Sequence, residues 1–284
     1  MKRRGGKSRL VKHLLPMIPE HVCYVELFGG AAHFLFGKPP SKVEVYNDLD
    51  DQLHNFFRVA KTQPDALIAA LDLTLPSRKH FDEIKRTRDE DPVQDAANFY
   101  YLMKNAFAGR LDNPCFGISA VSKSRFDPLQ VQEDVRLIYD RLAASSCYVE
   151  SGDFETVFKR YDRPTTFTYL DPPYYGTDGY GDLDMMPDDF LRLRDMLASA
   201  KGKWLLSIND CEQVRAMFTG LPGVTIQAVE TSYSSASGED GRGRVQELLI
   251  FNYDLSGGAG RGEVAADEVV GCHPDSRDAD ELAS

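Results

Sequence analysis

The chain lacks the features of a membrane or exported protein. Its 284 residues contain no apolar run approaching the roughly 20 residues that a membrane-spanning helix requires. Residues 1–7 are basic but are not followed by the apolar stretch of a signal peptide. We therefore expect a cytoplasmic protein with no membrane partner.

Cysteine is scarce and follows no pattern. The five cysteines include no C-x-x-C pair. Their odd number and wide spacing argue against a disulfide framework and a structural zinc site, and are typical of a reducing compartment. We expect no bound metal.

Two common nucleotide-binding motifs are also missing. Gly6-Lys7-Ser8 resembles the end of a P-loop, but the first glycine of that motif would fall at Met1 and no strand precedes it. The pair Gly29-Gly30 does not form a G-x-G-x-x-G signature. The sequence therefore favours neither a P-loop nucleotidase nor a typical dinucleotide enzyme.

Negative charge predominates, but it is unevenly distributed. The net charge is −11, and the segment after Leu255 holds seven carboxylates against Arg261 and Arg277. Residues 1–20 carry six lysines and arginines against Glu20 alone. Further basic residues cluster at positions 78–88 and 104–125. This distribution permits DNA binding without demonstrating it, because charged runs are usually solvated faces.

Alternating apolar patterns predict an α/β protein with a largely parallel sheet. The predicted strands are residues 22–28, 43–48, 147–150, 166–170, 203–208, 224–230 and 245–253. Helical patterns lie between most of them, beginning with 8–18, 31–36 and 49–61.

A helical insertion interrupts this alternation. Residues 63–145 contain four predicted helices and are expected to form a separate subdomain. Residues 1–62 and 146–254 would then form the catalytic domain. The acidic segment 255–284 has no apolar period, and we expect it to be disordered.

Asp171-Pro172-Pro173-Tyr174 is the most informative motif. It follows a run of β-branched and aromatic residues that reads as a buried strand, and proline ends that strand abruptly. The carboxyl ends of parallel strands are where ligands bind in open α/β sheets. A carboxylate, rigid prolines and an aromatic ring there suit the binding of a planar base through its amino group. The alternative is an ordinary turn.

A second candidate site follows the first strand. Glu26-Leu27-Phe28-Gly29-Gly30 leads into a helix, and glycine there allows close approach of a ligand to the backbone. A tight β–α turn is the alternative. Asp48 ends the next strand, about where a nucleoside site places its ribose-binding carboxylate. A helix N-cap is its alternative role, which Asp50 could fill instead.

A third strand leads into Gly152-Asp153-Phe154. Asp153 and Phe154 would lie at the same edge of the sheet and could reach the base of a cofactor. Capping of the following helix is an equally good explanation for Asp153.

The motifs in this order resemble the Dam-type adenine-N6 DNA methyltransferases, up to about Tyr253. The resemblance rests on Gly5-Gly6-Lys7, Phe28-Gly29-Gly30, Asp48, the helical insertion and Asp171-Pro172-Pro173-Tyr174, with further similarity at residues 207–210 and 232–247. The chain departs from the family pattern at Arg3, Leu27 and Ala32, where the family often has tryptophan, proline and glycine.

This resemblance implies a Rossmann-like S-adenosylmethionine-dependent sheet with a helical target-recognition insertion. Asp171 and the Pro172 carbonyl would accept hydrogen bonds from the adenine amino group, and Tyr174 would stack on the flipped base. Pro173 completes the catalytic motif. The implied cofactor-binding residues are Lys7, Glu26, Phe28, Gly30, Asp48, Asp153, Phe154 and Asp171.

Double-stranded DNA is the implied partner, together with a cognate restriction endonuclease acting on the same site. Within the insertion, Lys104, Asn105, Arg110 and Arg125 are candidate DNA contacts, although each could be an ordinary surface residue. Two alternatives stay open: an enzyme that methylates another base or RNA, and a DNA-binding module that has lost catalysis. The recognition sequence is not assigned.

Overall fold

A computed structural model of the chain describes residues 8–72, 74–106, 114–117, 126–177, 183–232 and 244–255. Its strands are β1 (Cys23–Glu26), β2 (Val43–Asn47), β3 (Ser146–Glu150), β4 (Thr166–Leu170), β5 (Lys203–Asn209), β6 (Thr225–Ser232) and β7 (Arg244–Phe251). Its helices are α1 (Ser8–Leu14), α2 (His33–Gly37), α3 (Asp51–Thr62), α4 (Pro64–Asp72), α5 (Arg78–Ile84), α6 (Pro92–Asn105), α7 (Pro128–Ala143), α8 (Phe154–Tyr161), α9 (Pro187–Ala198) and α10 (Glu212–Phe218).

All seven strands form one sheet in the order β3-β2-β1-β4-β5-β7-β6. The first five strands in this order are parallel, and β7 is antiparallel to both β5 and β6. The predicted α/β, Rossmann-like fold is confirmed. The strand order reverses between β1 and β4, and such a switch point opens a crevice at the carboxyl ends of the strands.

Side chains alternate between two hydrophobic cores, one on each face of the sheet. Tyr24 and Tyr46 point to the first face, while Val25 and Val45 point to the second. This follows from the two-residue period of a strand. Helices α8, α9 and α10 cover the second face. Both faces of the parallel strands are therefore buried, which explains their continuous apolar runs.

The helices of the insertion share the first core with the sheet. The Phe56 ring of α3 stacks on Tyr100 of α6 with ring centroids 5.6 Å apart. At the end of α7, Arg141 donates hydrogen bonds to both carboxylate oxygens of Glu44 on β2. Helices α6 and α7 of the insertion are thus fixed to the rest of the protein by apolar and ionic contacts. The boundaries of the insertion as a recognition unit remain a prediction.

Glu44 is the centre of a buried ionic cluster. Its carboxylate is fully buried and lies 2.6 Å from the Lys38 ammonium. Burial by itself would raise the pKa of Glu44, but hydrogen bonds from Arg141, Lys38 and Ser145 lower it from 4.5 to about 2. A buried charge requires such partners because it has lost its hydration. The cluster therefore joins β2 to α7.

Local sequence explains most element boundaries, with two corrections. The predicted helix 8–18 ends at Leu14 and continues as a 3-10 turn, because Pro16 cannot donate the next helical hydrogen bond. The predicted helix 31–36 begins only at His33, because Gly30 and Ala32 have positive φ angles of 50° and 54°. Within the described ranges, no helix has the length and apolar character to cross a membrane.

Candidate active site

The two principal motifs lie side by side at the switch point of the sheet. Glu26, the last residue of β1, is in register with Tyr169 of β4. Just beyond them, the Leu27 amide donates a hydrogen bond of 3.0 Å to the Tyr169 carbonyl. Asp171 follows β4 directly. The structure therefore brings together the glycine turn and the Asp-Pro-Pro-Tyr loop, which are more than 140 residues apart in the sequence.

The glycine turn, Gly29-Gly30, packs tightly against β2 on one side and faces open space on the other. A Cβ atom at Gly29 would lie 2.1 Å from the Tyr46 ring, so only glycine fits there. The Tyr46 hydroxyl donates to the Gly30 carbonyl at 2.7 Å. A Cβ atom at Gly30 would meet nothing within 4 Å. This open space beside the backbone is what a bound cofactor needs.

Asp48 connects this turn to the end of β2. Its carboxylate accepts hydrogen bonds from the Gly30 amide at 2.6 Å and from the Asp50 amide at 2.9 Å. The helix-capping role falls to Asp50, whose side chain accepts from the Gln52 and Leu53 amides at the start of α3. Asp48 is therefore placed at the cofactor edge and does not serve as the helix cap.

Asn47 joins three strand ends and was missed by sequence reasoning. Its side-chain nitrogen donates to the carbonyls of Leu27 and Gly152 at 2.9 and 3.0 Å. Its side-chain oxygen accepts from the Gly152 amide at 3.0 Å. Asn47 is buried, and its amide supplies both a donor and an acceptor. The position of Asn47 directly before Asp48, the predicted ribose-binding carboxylate, was the sequence feature that could have indicated its role.

Asp153 and Phe154 lie at the carboxyl end of β3, as the strand order requires. Asp153 caps α8 and also forms an ion pair of 3.0 Å with Arg192 of α9. Burial raises the pKa of Asp153, but the Arg192 guanidinium and the α8 amides outweigh it and lower the pKa. The Phe154 ring lies 5.5 Å from Phe28 and 4.9 Å from the Arg192 guanidinium carbon. Capping, the alternative for Asp153, is thus observed.

Glu26 is buried beneath the turn. The Tyr24 hydroxyl and the Leu35 amide both donate to one of its carboxylate oxygens at 2.7 Å. Burial raises the pKa of Glu26 to about 8, although these two hydrogen bonds oppose the shift and the negative charge of Asp171 adds to it. Burial therefore favours the neutral form of Glu26 and disfavours a second negative charge beside Asp171.

The Asp-Pro-Pro-Tyr loop is partly buried. Pro172 is buried, and Asp171, Pro173 and Tyr174 are half-buried. The Tyr174 hydroxyl lies 3.5 Å from a carboxylate oxygen of Glu247 on β7. That oxygen also accepts a hydrogen bond of 2.7 Å from the Ser207 hydroxyl. The loop is thus in contact with the antiparallel part of the sheet.

Asn209, the last residue of β5, fixes the exit of the loop. Its side-chain oxygen accepts from the Tyr175 amide at 2.8 Å, and its side-chain nitrogen donates to the Tyr175 carbonyl at 3.2 Å. The Tyr175 ring makes an edge contact with Phe190 at a centroid distance of 5.0 Å. Two hydrogen bonds from one amide hold the backbone in a single orientation. Sequence reasoning noted this segment but gave Asn209 no role.

The two candidate DNA contacts in α6 are both bonded to other residues of the protein. Lys104 forms an ion pair of 2.5 Å with Asp134 of α7. Asn105 is buried and donates to the Tyr101 carbonyl at 3.0 Å. Because both side chains are engaged internally, this placement argues against direct DNA contact by either. Arg110, Arg125, Lys7 and Arg3 lie outside the described residues.

Together these features define a class of enzyme. A parallel sheet with an antiparallel strand inserted between β5 and β6, and with a glycine turn at its switch point, is the Rossmann-like arrangement that the sequence resemblance implies for an S-adenosylmethionine-dependent methyltransferase. The Asp-Pro-Pro-Tyr loop lies beside this turn. Among the described residues, no cluster of His, Cys, Asp and Glu is arranged to hold a metal.

The family is established by comparison with known proteins. The family model for D12 class N6 adenine-specific DNA methyltransferases matches residues 4–234, and the chain belongs to this family. Membership identifies it as an adenine-specific DNA methyltransferase.

Several curated relatives are similar along most of their length. Type II methyltransferase M.CviBI from Paramecium bursaria Chlorella virus NC1A is 26% identical over 225 residues, covering 78% of this chain and 86% of the relative. Type II methyltransferase M1.LlaDCHI from Lactococcus lactis subsp. cremoris is 26% identical over 270 residues, covering 88% and 93%. Type II methyltransferase M.MjaIII from Methanocaldococcus jannaschii is 24% identical and covers 89% and 98%.

Proposed function

We propose that the chain transfers the methyl group of S-adenosylmethionine to N6 of an adenine flipped out of double-stranded DNA, within the crevice between β1 and β4. The observation that carries this proposal is the position of Asp171, directly after β4 and beside the glycine turn that follows β1. A base bound at Asp171 and a cofactor bound at the turn would meet there. Positioning of this kind supplies much of the catalysis in such reactions.

The cofactor would lie along the carboxyl ends of β1, β2 and β3. Gly30 leaves open space for the methionine end, and the half-buried Asp48 carboxylate suits the ribose hydroxyls. The Phe28 and Phe154 rings form an apolar surface that suits an adenine base. Asp153, anchored by Arg192, would accept from its amino group. Lys7 lies outside the described residues, and its role near the junction of cofactor and base stays a prediction.

The protein's own groups would activate the amino nitrogen of the target. Its lone pair is delocalised into the adenine ring, which makes it a weak nucleophile. Asp171 and the Pro172 carbonyl would accept its two N–H bonds, localise the lone pair and direct it toward the methyl group. When bound, the cofactor would supply an electrophilic methyl on a sulfonium. As the nitrogen bonds to that methyl, the methyl–sulfur bond would break and its electron pair would stay on sulfur as a neutral thioether; the methylated nitrogen would then release a proton to solvent. Asp171 would supply the local negative charge that stabilises the developing cation.

Methyl transfer can be tested with labelled cofactor. The protein is incubated with methyl-labelled S-adenosylmethionine and unmethylated DNA of diverse sequence, and the nucleosides are then separated. We expect label in N6-methyladenine. Label in N4-methylcytosine, or transfer to RNA alone, would favour the other-substrate alternative, and no transfer by folded protein would favour the binding module.

The role of Asp171 can be tested in the same assay. Asp171→Ala should abolish turnover while S-adenosylmethionine binding, measured by calorimetry, changes little. Asp195→Ala, an exposed carboxylate on α9, is the matched control and should retain activity. Undiminished turnover by Asp171→Ala would refute the assigned role.

A cognate restriction endonuclease remains our prediction for a second partner. If it exists, DNA from cells that express this enzyme should resist an endonuclease of the same specificity. Sequencing that detects N6-methyladenine would first identify the modified site.

A further inference from the structure

Helix α5 presents an exposed basic surface to which the mechanism assigns no role. We define the α5 basic surface as Arg78, Lys79, Lys85 and Arg86. Arg78, Lys79 and Arg86 are exposed, and together with Asp82 and Glu83 they line an open cleft of about 580 Å³. This cleft belongs to the insertion and is distant in sequence from the Asp171 loop.

The charges of this surface are only partly compensated. Lys85 pairs with Asp82 at 2.9 Å, and Lys79 lies 3.9 Å from Glu83. In the part of the chain that the structure describes, neither Arg78 nor Arg86 forms an ion pair. The surface therefore has a net positive charge on a protein whose total charge is −11. Such local charge attracts a polyanion even when the whole molecule is acidic.

Aromatic contacts hold part of the surface in place. The Arg78 guanidinium carbon lies 5.4 Å from the centre of the Phe116 ring. Phe116 in turn makes an edge contact with the buried Phe81 of α5 at 5.3 Å. A cation on an aromatic face keeps its outer N–H groups available while the ring restricts its motion. Arg78 is therefore partly ordered before any ligand binds.

The segment that follows α5 lies at the same edge of the sheet as the active site. Helix α3 starts from the carboxyl end of β2, and Asn55, in its second turn, donates to the Pro92 carbonyl at 2.9 Å. Arg88, shortly after the α5 basic surface, forms an ion pair of 2.7 Å with Asp95. These contacts dock the α5–α6 connection beside the first turns of α3. The segment that leads from the basic surface to α6 is thus attached to the helix that follows β2.

We infer that the α5 basic surface binds the sugar–phosphate backbone of the DNA duplex next to the flipped adenine. This inference rests on the proposed function for the identity of the polymer. Arginine suits phosphate because its planar guanidinium donates two parallel hydrogen bonds. The surface contributes affinity and orientation, since phosphate contacts carry no direct base information. It would make the DNA contacts that were predicted for α6, where Lys104 and Asn105 are bonded to other residues of the protein.

The test is the salt dependence of DNA binding by the full-length double variant Arg78→Gln/Arg86→Gln. Each lost phosphate contact should reduce the slope of log affinity against log salt concentration by about 0.9, so two should reduce it by about 1.8. Fluorescence anisotropy with a labelled duplex measures the slope. We also expect an increased KM for DNA. Thermal unfolding confirms that the variant is folded.

Lys159→Gln/Arg160→Gln is the matched control. Both residues are exposed cations on α8, which covers the opposite face of the sheet. The control should keep the wild-type slope. An unchanged slope in the Arg78/Arg86 variant, or an equal reduction in the control, would overturn the inference.

The two proposals can fail separately. Suppose that the wild type binds DNA and the Arg78/Arg86 variant shows the reduced salt dependence, but no N6-methyladenine forms. The DNA-binding role of the α5 basic surface is then supported and the proposed reaction is refuted. If methylation occurs and the slope is unaffected by the α5 substitutions, only the surface is refuted. If the wild type does not bind DNA, both fail.

Discussion

Replacing Asn209 by aspartate gives a pH-dependent test of how the Asp-Pro-Pro-Tyr loop is held. The Asn209 side chain accepts from the Tyr175 amide at 2.8 Å and donates to the Tyr175 carbonyl at 3.2 Å. An ionised carboxylate at position 209 can still accept from the Tyr175 amide, but it cannot donate to the Tyr175 carbonyl and repels that oxygen. A protonated carboxyl group can donate to that carbonyl and restores both bonds. Activity of Asn209→Asp should therefore recover as the pH falls.

The magnitude follows from the two hydrogen bonds. Each neutral hydrogen bond contributes about 1 kcal/mol, so Asn209→Leu, which removes both, should lose about 2 kcal/mol of loop positioning. If that loss appears in the barrier, kcat falls about 30-fold. Asn209→Asp should show a similar deficit well above the pKa of the introduced carboxyl group. Below that pKa, its deficit should shrink.

The assay is kcat against pH at saturating DNA and cofactor, expressed as the ratio of variant to wild type. Taking the ratio removes the titration of groups that both proteins share, such as Glu26. Asn209→Leu serves as the control, because its ratio should not change with pH. A flat ratio for Asn209→Asp, or wild-type kcat for Asn209→Leu, would show that the two bonds do not position the loop.

Three further predictions concern the turn, the cofactor and the ionic cluster. Gly29→Ala should abolish cofactor binding or folding, because its Cβ would lie 2.1 Å from Tyr46. Gly30→Ala should cost only about 1–2 kcal/mol of unfolding free energy, because Gly30 has a positive φ. Equal losses for the two variants in urea unfolding would contradict this prediction. Asp48→Asn should weaken S-adenosylmethionine binding about tenfold, as measured by calorimetry. This is the effect of losing one charge-assisted hydrogen bond of roughly 1.4 kcal/mol. Unchanged affinity would exclude hydrogen bonding of Asp48 to the cofactor ribose. The pKa of Glu44 is about 2 in the folded protein and 4.5 in the unfolded chain. Ionised Glu44 should therefore contribute about 3 kcal/mol to the free energy of unfolding above pH 4.5, and this contribution should be lost as the pH falls toward 2. In urea unfolding, Glu44→Gln should lack this part of the acid dependence.

Local chemistry made the catalytic motifs predictable from the sequence. Proline after an apolar run ends a buried strand wherever the chain folds, and this placed Asp171 at the mouth of the sheet. The strand and helix periods specified the α/β class, because side chains alternate in a strand and repeat every 3.6 residues in a helix. The order of the motifs then identified the family. These inferences needed only neighbours in the chain.

Contacts between distant segments were decided by the tertiary structure alone. Asn209 acts on Tyr175 across 34 residues, and Asn47 joins Gly152 across 105 residues, through backbone groups that carry no sequence signature. Asp153 was found to be a helix cap paired with Arg192, because α9 happens to pack beside α8.

The same limit explains the DNA-binding candidates. The sequence determined that the protein is an α/β methyltransferase with an aspartate directly after β4, because those properties depend on short runs of residues. It could not determine which cations reach a ligand. Lys104 and Arg78 are both cations in helices of the insertion, yet Lys104 is paired with Asp134 of another helix and Arg78 is exposed over Phe116. Burial and pairing are properties of the packed structure, and only the packed structure decided them.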